Sequence, residues 1–167
     1  MALQNSAGKI SFDEATSIHI ITSTLNTRMR VIYEAQFNTH GGKPDYFIIL
    51  RYRVIMVSVS RAYRLRYSRE HNKHIDMFNI AEATRLLSKK LSGLAHCMDY
   101  SGFFITEITN TPSNISVKPI LHILCPSREN INLCNIAYYN ILENSPNPNL
   151  QNIQVIFSLV ENAEVFA

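Results

Sequence analysis

The sequence predicts an α+β fold: a single domain with an antiparallel sheet of about five or six strands, covered on one face by one or two helices. Three observations carry this expectation. Several segments rich in β-branched and aromatic residues are bounded by turn chemistry. One stretch after Asn79 has helical periodicity and a cap. The 167 residues, 46% hydrophobic and 17% charged, suffice for one core and contain no repeat, low-complexity segment or linker that would divide them.

The N-terminal residues 1–15 read as a flexible or extended arm. SIHIITST (17–24) and TRMRVIYEAQF (27–37) have strand composition, and the break at Leu25 and Asn26 makes them a hairpin. THGGKPD (39–45) is a loop by its Gly-Gly and proline. YFIILRYRVIMVSVS (46–60) then reads as one long, bent strand, with AYRLRYS continuing it or pairing with it. Asn79 caps a helix, with Glu82 three residues on in capping-box position. Ile80, Ala83, Leu87, Leu91 and Leu94 form its apolar stripe, Lys89 and Lys90 sit in its last turn, and Gly93 is its stop. GFFITEIT (102–109) and SVKPILHILC (116–125) return to strand character, with Pro119 placing the second at an edge or a bulge. ENINLCNIAYYNIL (129–142) suits a helix through Ile131, Cys134, Tyr138 and Ile141, although Leu133 and Ile136 fit neither period, and Ser127 is its cap. IQVIFSLV (153–160) is a last strand.

Charge is distributed unevenly. The net formal charge is only +3, yet thirteen of the sixteen lysines and arginines fall between Arg28 and Lys90, and the residues from Glu129 onward contain acids and no base. Within the basic part, arginines alternate with apolar residues at Arg28 and Arg30, Arg51 and Arg53, and Arg64 and Arg66. In strands such pairs share a face. If the three segments are neighbours, six guanidinium groups tile one solvent face, with Arg61, Arg69, Lys89 and Lys90 at its margin. Like charges across strands repel by a fraction of a kcal/mol up to about 1, so such a face calls for an anionic partner. Phosphate suits it, because the guanidinium fork donates two parallel hydrogen bonds. The competing explanation is a set of surface arginines paired with Glu34, Glu70 or Glu107 that keeps the sheet soluble.

Other chemistry is sparse. His71 and His74 lack carboxylate or cysteine support for a metal and read as a solvated loop, and His19 and His122 read as strand residues with ordinary hydrogen bonds. No nucleophile elbow, phosphate loop or paired-cysteine motif is present, so neither an enzymatic activity nor a cofactor or metal is expected. Cys97, Cys125 and Cys134 are an odd number without metal spacing and read as buried free thiols. The N-terminus carries Asp13 and Glu14 and no long apolar run, and Arg51 and Arg53 interrupt the best apolar stretch. Neither a signal peptide nor a transmembrane segment is therefore expected.

The strands with arginines on one side, followed by FNIAEATRLLSKKLSGLAH (78–96) and GFFITEIT, resemble the central part of rhabdovirus matrix proteins. There a strand pair leads into an alanine-containing helix, a short connection with small residues and an aromatic-rich strand. The resemblance runs from about residue 46 to 109, is one of pattern, and the chain length fits the smaller, plant-infecting members. It implies a non-enzymatic protein of host cytoplasm and virion that self-associates, condenses the viral nucleocapsid through nucleoprotein or RNA, and lines an anionic membrane surface. Residues 1 to 26 hold only Lys9 and neither a PPxY nor a PTAP-like motif. Membrane attachment would then fall to the folded basic surface. The alternatives are a small RNA-binding module, such as a viral silencing suppressor, and a diverged nuclease or transferase.

Overall fold

The computed structural model describes residues 11–25, 29–33, 44–50, 53–68, 73–99 and 116–160, with the backbone alone at 30, 32, 33, 65–68 and 73–75. The elements run α1 (Phe12–Leu25), β1 (Arg30–Tyr33), β2 (Tyr46–Leu50), β3 (Arg53–Arg61), β4 (Leu65–Ser68), β5 (Lys73–Asp76), α2 (Ile80–Asp99), β6 (Ser116–Cys125), α3 (Arg128–Asn144), a 3-10 turn (Pro148–Asn152) and β7 (Gln154–Leu159). The class is α+β, as expected. The sheet, however, is mixed: its five strands lie in the order β1-β2-β3-β6-β7, antiparallel through β3 and parallel from β3 to β6 and from β6 to β7.

The first correction concerns α1. Residues 17–24 are not a hairpin strand but part of this helix, and residues 12–15 of the expected arm are its first turn; residues 1–10 lie outside the described residues. Ser11 starts the helix, its Oγ accepting from the Glu14 N–H at 3.3 Å, with Asp13 and Glu14 in the first turn where the helix dipole favours acids. The β-branched residues are accommodated because Thr22 and Thr24 donate their hydroxyls to the carbonyls of Ile18 and Ile20, at 2.7 and 2.9 Å. Burial then decides the matter. Ile18, Ile20, Ile21 and Leu25 pack against the sheet, and a fully buried isoleucine such as Ile21 is worth about 2 kcal/mol.

The second correction is that helices cover both faces of the sheet. Phe47, Val54, Met56, Leu121, Ile123 and Cys125 join Leu87, Leu91 and Leu94 of α2 and Cys134 and Ala137 of α3 in one core. Tyr46, Ile48, Ile55, Val57, Val59, Ile120 and Leu124 face the other way, toward Ile21 of α1. Strands buried on both sides read as nearly continuous apolar runs, which is what VIMVSV and ILHILC are apart from Ser58 and His122.

Residues 46–60 are not one bent strand. β2 and β3 fold back on each other with Leu50 opposite Arg53; Arg51 and Tyr52, between them in the chain, lie outside the described residues. AYRLRYS neither continues β3 nor pairs with it: β4 pairs with β5 in a separate two-stranded sheet. Asn79 does cap α2, accepting from the N–H groups of Ala81 and Glu82 at 3.0 and 3.1 Å. The helix passes through Gly93 and ends at Asp99, because Leu94, Ala95 and Cys97 still have core to bury in. α3 and its Ser127 cap are as expected. Pro119 sits in an interior strand, yet β7 joins β6 only at Ile120, so β6 has a single neighbour where the proline falls. The expected strand 102–109 lies outside the described residues.

Candidate anion-binding site

The three arginine segments do not share one sheet. Arg64 and Arg66 belong to the segment of the small β4–β5 sheet, apart from β1, β2 and β3. Arg28, Arg51 and Arg69 lie outside the described residues, as do the side chains of Arg30 and Arg66.

Three of the expected cations are committed to structural partners. Arg61, at the end of β3, is ion-paired to Asp13 in the first turn of α1 and also donates to the Tyr63 hydroxyl at 2.8 Å. Arg64 is ion-paired to Glu82 of α2, which Arg85 also engages at 2.9 Å. The Arg85 hydrogen bond and the charge of Arg64 hold the Glu82 carboxyl below its ordinary value. Lys90 reaches from α2 to β3, donating to the Val59 carbonyl at 2.8 Å and the Ser58 hydroxyl at 3.3 Å, with Asp45 Oδ2 3.8 Å away. Lys89 is exposed on the outer face of α2.

Arg53 is different. It opens β3 on the same face as Ile55 and Val57, the face that α1 covers. Because Asp13 holds the start of α1 at the end of β3, the helix runs back along the strand and its last residues, Thr24 and Leu25, lie with Arg53 around a pocket. Across the parallel β3–β6 ladder, Lys118 pairs in register with Ile55 and lines the same pocket. Arg53 and Lys118 are exposed, and neither forms an ion pair or side-chain hydrogen bond among the described residues. The pocket holds about 290 Å³, and its remaining walls are Ile20 and Ile21 of α1 with Ile55, Ile120, Ile156 and Gln154 of the sheet. Lys118 was not among the expected site residues. Finding it requires knowing that residues 53–61 pair with 116–125 in parallel, which no local pattern announces.

Two other features have less to offer a ligand. A larger cavity of about 490 Å³ between α2 and α3 is lined by Thr84, Ser88, Ser92, Asn140 and Asn144 among others, with no charged side chain. Under α1, the Ser17 hydroxyl bonds the Tyr46 hydroxyl at 2.7 Å and His122 Nδ1 at 2.7 Å, while His122 Nε2 bonds the Ser158 hydroxyl at 2.8 Å. A serine beside a histidine has the makings of an activated nucleophile, but Ser17, Tyr46 and His122 have no accessible surface. The group bolts α1 to the sheet. Burial drives the His122 pKa down from 6.5 to about 4, so the ring is neutral at physiological pH, one nitrogen donating and the other accepting.

His19 lies in α1 rather than in a strand; His74 falls in β5, and His71 lies outside the described residues. Among the described residues no group of three or more His, Cys, Asp or Glu side chains is placed to hold a metal ion. All three cysteines are buried and outside any disulfide. No described helix is long and apolar enough to cross a membrane. No protein-family model, curated protein or solved structure matches the chain.

Proposed function

We propose that the chain is a non-enzymatic structural protein that attaches peripherally to an anionic lipid surface, with Arg53 and Lys118 as the described part of the contact. The observation that carries this reading is the pairing of two exposed cations, with no carboxylate partner among the described residues, with an apolar pocket, while Arg61, Arg64 and Lys90 are each occupied by an acid. Aliphatic walls favour lipid over RNA, since single-stranded nucleic acid is held by aromatic side chains on which bases stack. The pocket has none.

Magnitude bears on the mechanism. A basic side chain near an anionic leaflet contributes about 1 kcal/mol, so two give about 2 kcal/mol, roughly a thirtyfold enrichment. That is marginal for one copy. Stable attachment then calls for several copies acting together, since linked weak contacts multiply. Self-association and a nucleocapsid partner, both implied by the resemblance to rhabdovirus matrix proteins, belong to this proposal.

Co-sedimentation with vesicles tests it. Binding should need phosphatidylserine, weaken as salt rises, and fall about thirtyfold in Arg53→Ala/Lys118→Ala. Binding indifferent to lipid charge, or capture by RNA and not by vesicles, would count against the lipid reading and, in the second case, favour the RNA-binding module.

A further inference from the structure

The pocket beside Arg53 and Lys118 is deeper in apolar character than a surface electrostatic contact requires. Five of its walls are Ile20, Ile21, Ile55, Ile120 and Ile156, and Leu25 is a sixth. The Thr24 hydroxyl donates to the Ile20 carbonyl at 2.9 Å, which leaves that part of the α1 wall without a free donor. The cations stand together because both belong to the starting ends of parallel strands, Arg53 opposite Ser116 and Lys118 opposite Ile55. They also stand near the last turn of α1, which carries no basic residue of its own, so part of their charge faces the negative helix end. A volume of about 290 Å³ lies at the small end of ligand sites, which start near 300 Å³. A slender chain suits it better than a ring system.

We propose that this pocket receives the aliphatic chain of a single-chain anionic lipid, a fatty-acid carboxylate, with Arg53 and Lys118 meeting the head group. The inference rests on the lipid-attachment reading and extends it from a surface contact to an inserted chain. The chain supplies what two charges lack. Each buried methylene is worth about 0.8 kcal/mol, close to a fourfold gain in affinity, so a few carbons outweigh the electrostatic contact. The positive rim accounts for the preference for a charged head over a neutral one.

The test uses the full chain with octanoate, decanoate and dodecanoate below their micelle concentrations, followed by calorimetry and by the isoleucine methyl signals in NMR spectra. Affinity should rise about fifteenfold for every two carbons until the pocket is full, with Ile55, Ile120 and Ile156 methyls shifting together. Dodecanol should bind at least tenfold more weakly than dodecanoate, and Arg53→Ala/Lys118→Ala should remove that difference. Ile120→Phe, which fills the pocket, should abolish chain binding; the chain-length series on the unaltered protein decides the matter if that variant does not fold. Methyl signals unmoved by dodecanoate, or an affinity independent of chain length, overturn the inference. Vesicles of phosphatidylcholine with about one-third phosphatidylserine separate the two claims. Charge-dependent vesicle binding without chain binding sinks the pocket and leaves surface attachment standing, whereas loss of both sinks both.

Discussion

Arg61 and Asp13 form an ion pair that joins the last residue of β3 to the first turn of α1. This contact directs α1 back along the strand, so that its far end overlies Arg53 and Lys118. The residue expected at the margin of a binding face thus serves to place the helix that walls the pocket. The two side chains are 25% and 20% exposed, so solvent still screens them. A double-mutant cycle with Asp13→Ala and Arg61→Ala should give a coupling of about 0.5–1 kcal/mol in urea unfolding. Additive single changes would mean that the pair does not help to dock α1.

The buried group around His122 predicts a pH dependence. The folded-state pKa is about 4 against 6.5 for a free ring, so the unfolded chain takes up the proton first as pH falls. Stability from this group is complete above about 6.5, is lost as pH falls toward 4, and amounts to on the order of 3 kcal/mol over that window. Urea unfolding at several pH values should show it, and His122→Asn should flatten the curve by that amount. An equal acid loss in the variant would assign the effect to carboxylates alone.

Asn130 ties α3 to the chain leaving β3. Its Nδ2 donates to the Ala62 carbonyl at 2.6 Å and to Asp76 Oδ2 at 2.8 Å, and its Oδ1 accepts from the Ser127 hydroxyl at 3.0 Å. Ala62 has no accessible surface. Asn130→Ala should therefore cost about 2 kcal/mol by denaturant unfolding, since it removes a partner from a buried carbonyl. A loss below about 0.5 kcal/mol, the usual scatter of surface changes, would contradict this.

Much of the fold was legible where one local signal dominated. Asn79 and Ser127 announced their helices, and the apolar stripe gave the buried face of α2 from Ala83 to Leu94, although Ile80 at its start is exposed. Residues 17–24 misled because SIHIITST has strand composition, while the better clue lay just upstream: Ser11 and Glu14 stand at capping-box spacing before an apolar run. The arginine alternation misled for another reason. A period of two fixes which side chains share a face of one strand but says nothing about which strands are neighbours. Long-range pairing set Arg53 beside Lys118 and sent Arg66, just after Arg64, to a different sheet. Whether a cation is free or paired depends on such contacts too, as Lys90 with Asp45 shows.

The central claim is that Arg53 and Lys118, rather than basic residues in general, meet the anionic partner. The most direct measurement compares two variants of similar charge loss, Arg53→Ala/Lys118→Ala and Arg64→Ala/Lys90→Ala, for binding to phosphatidylserine-containing vesicles at fixed salt. The first should lose binding by about thirtyfold if each cation contributes about 1 kcal/mol, while the second stays near the unaltered protein. Equal losses in both would show that only net charge matters and would contradict the assignment of the site.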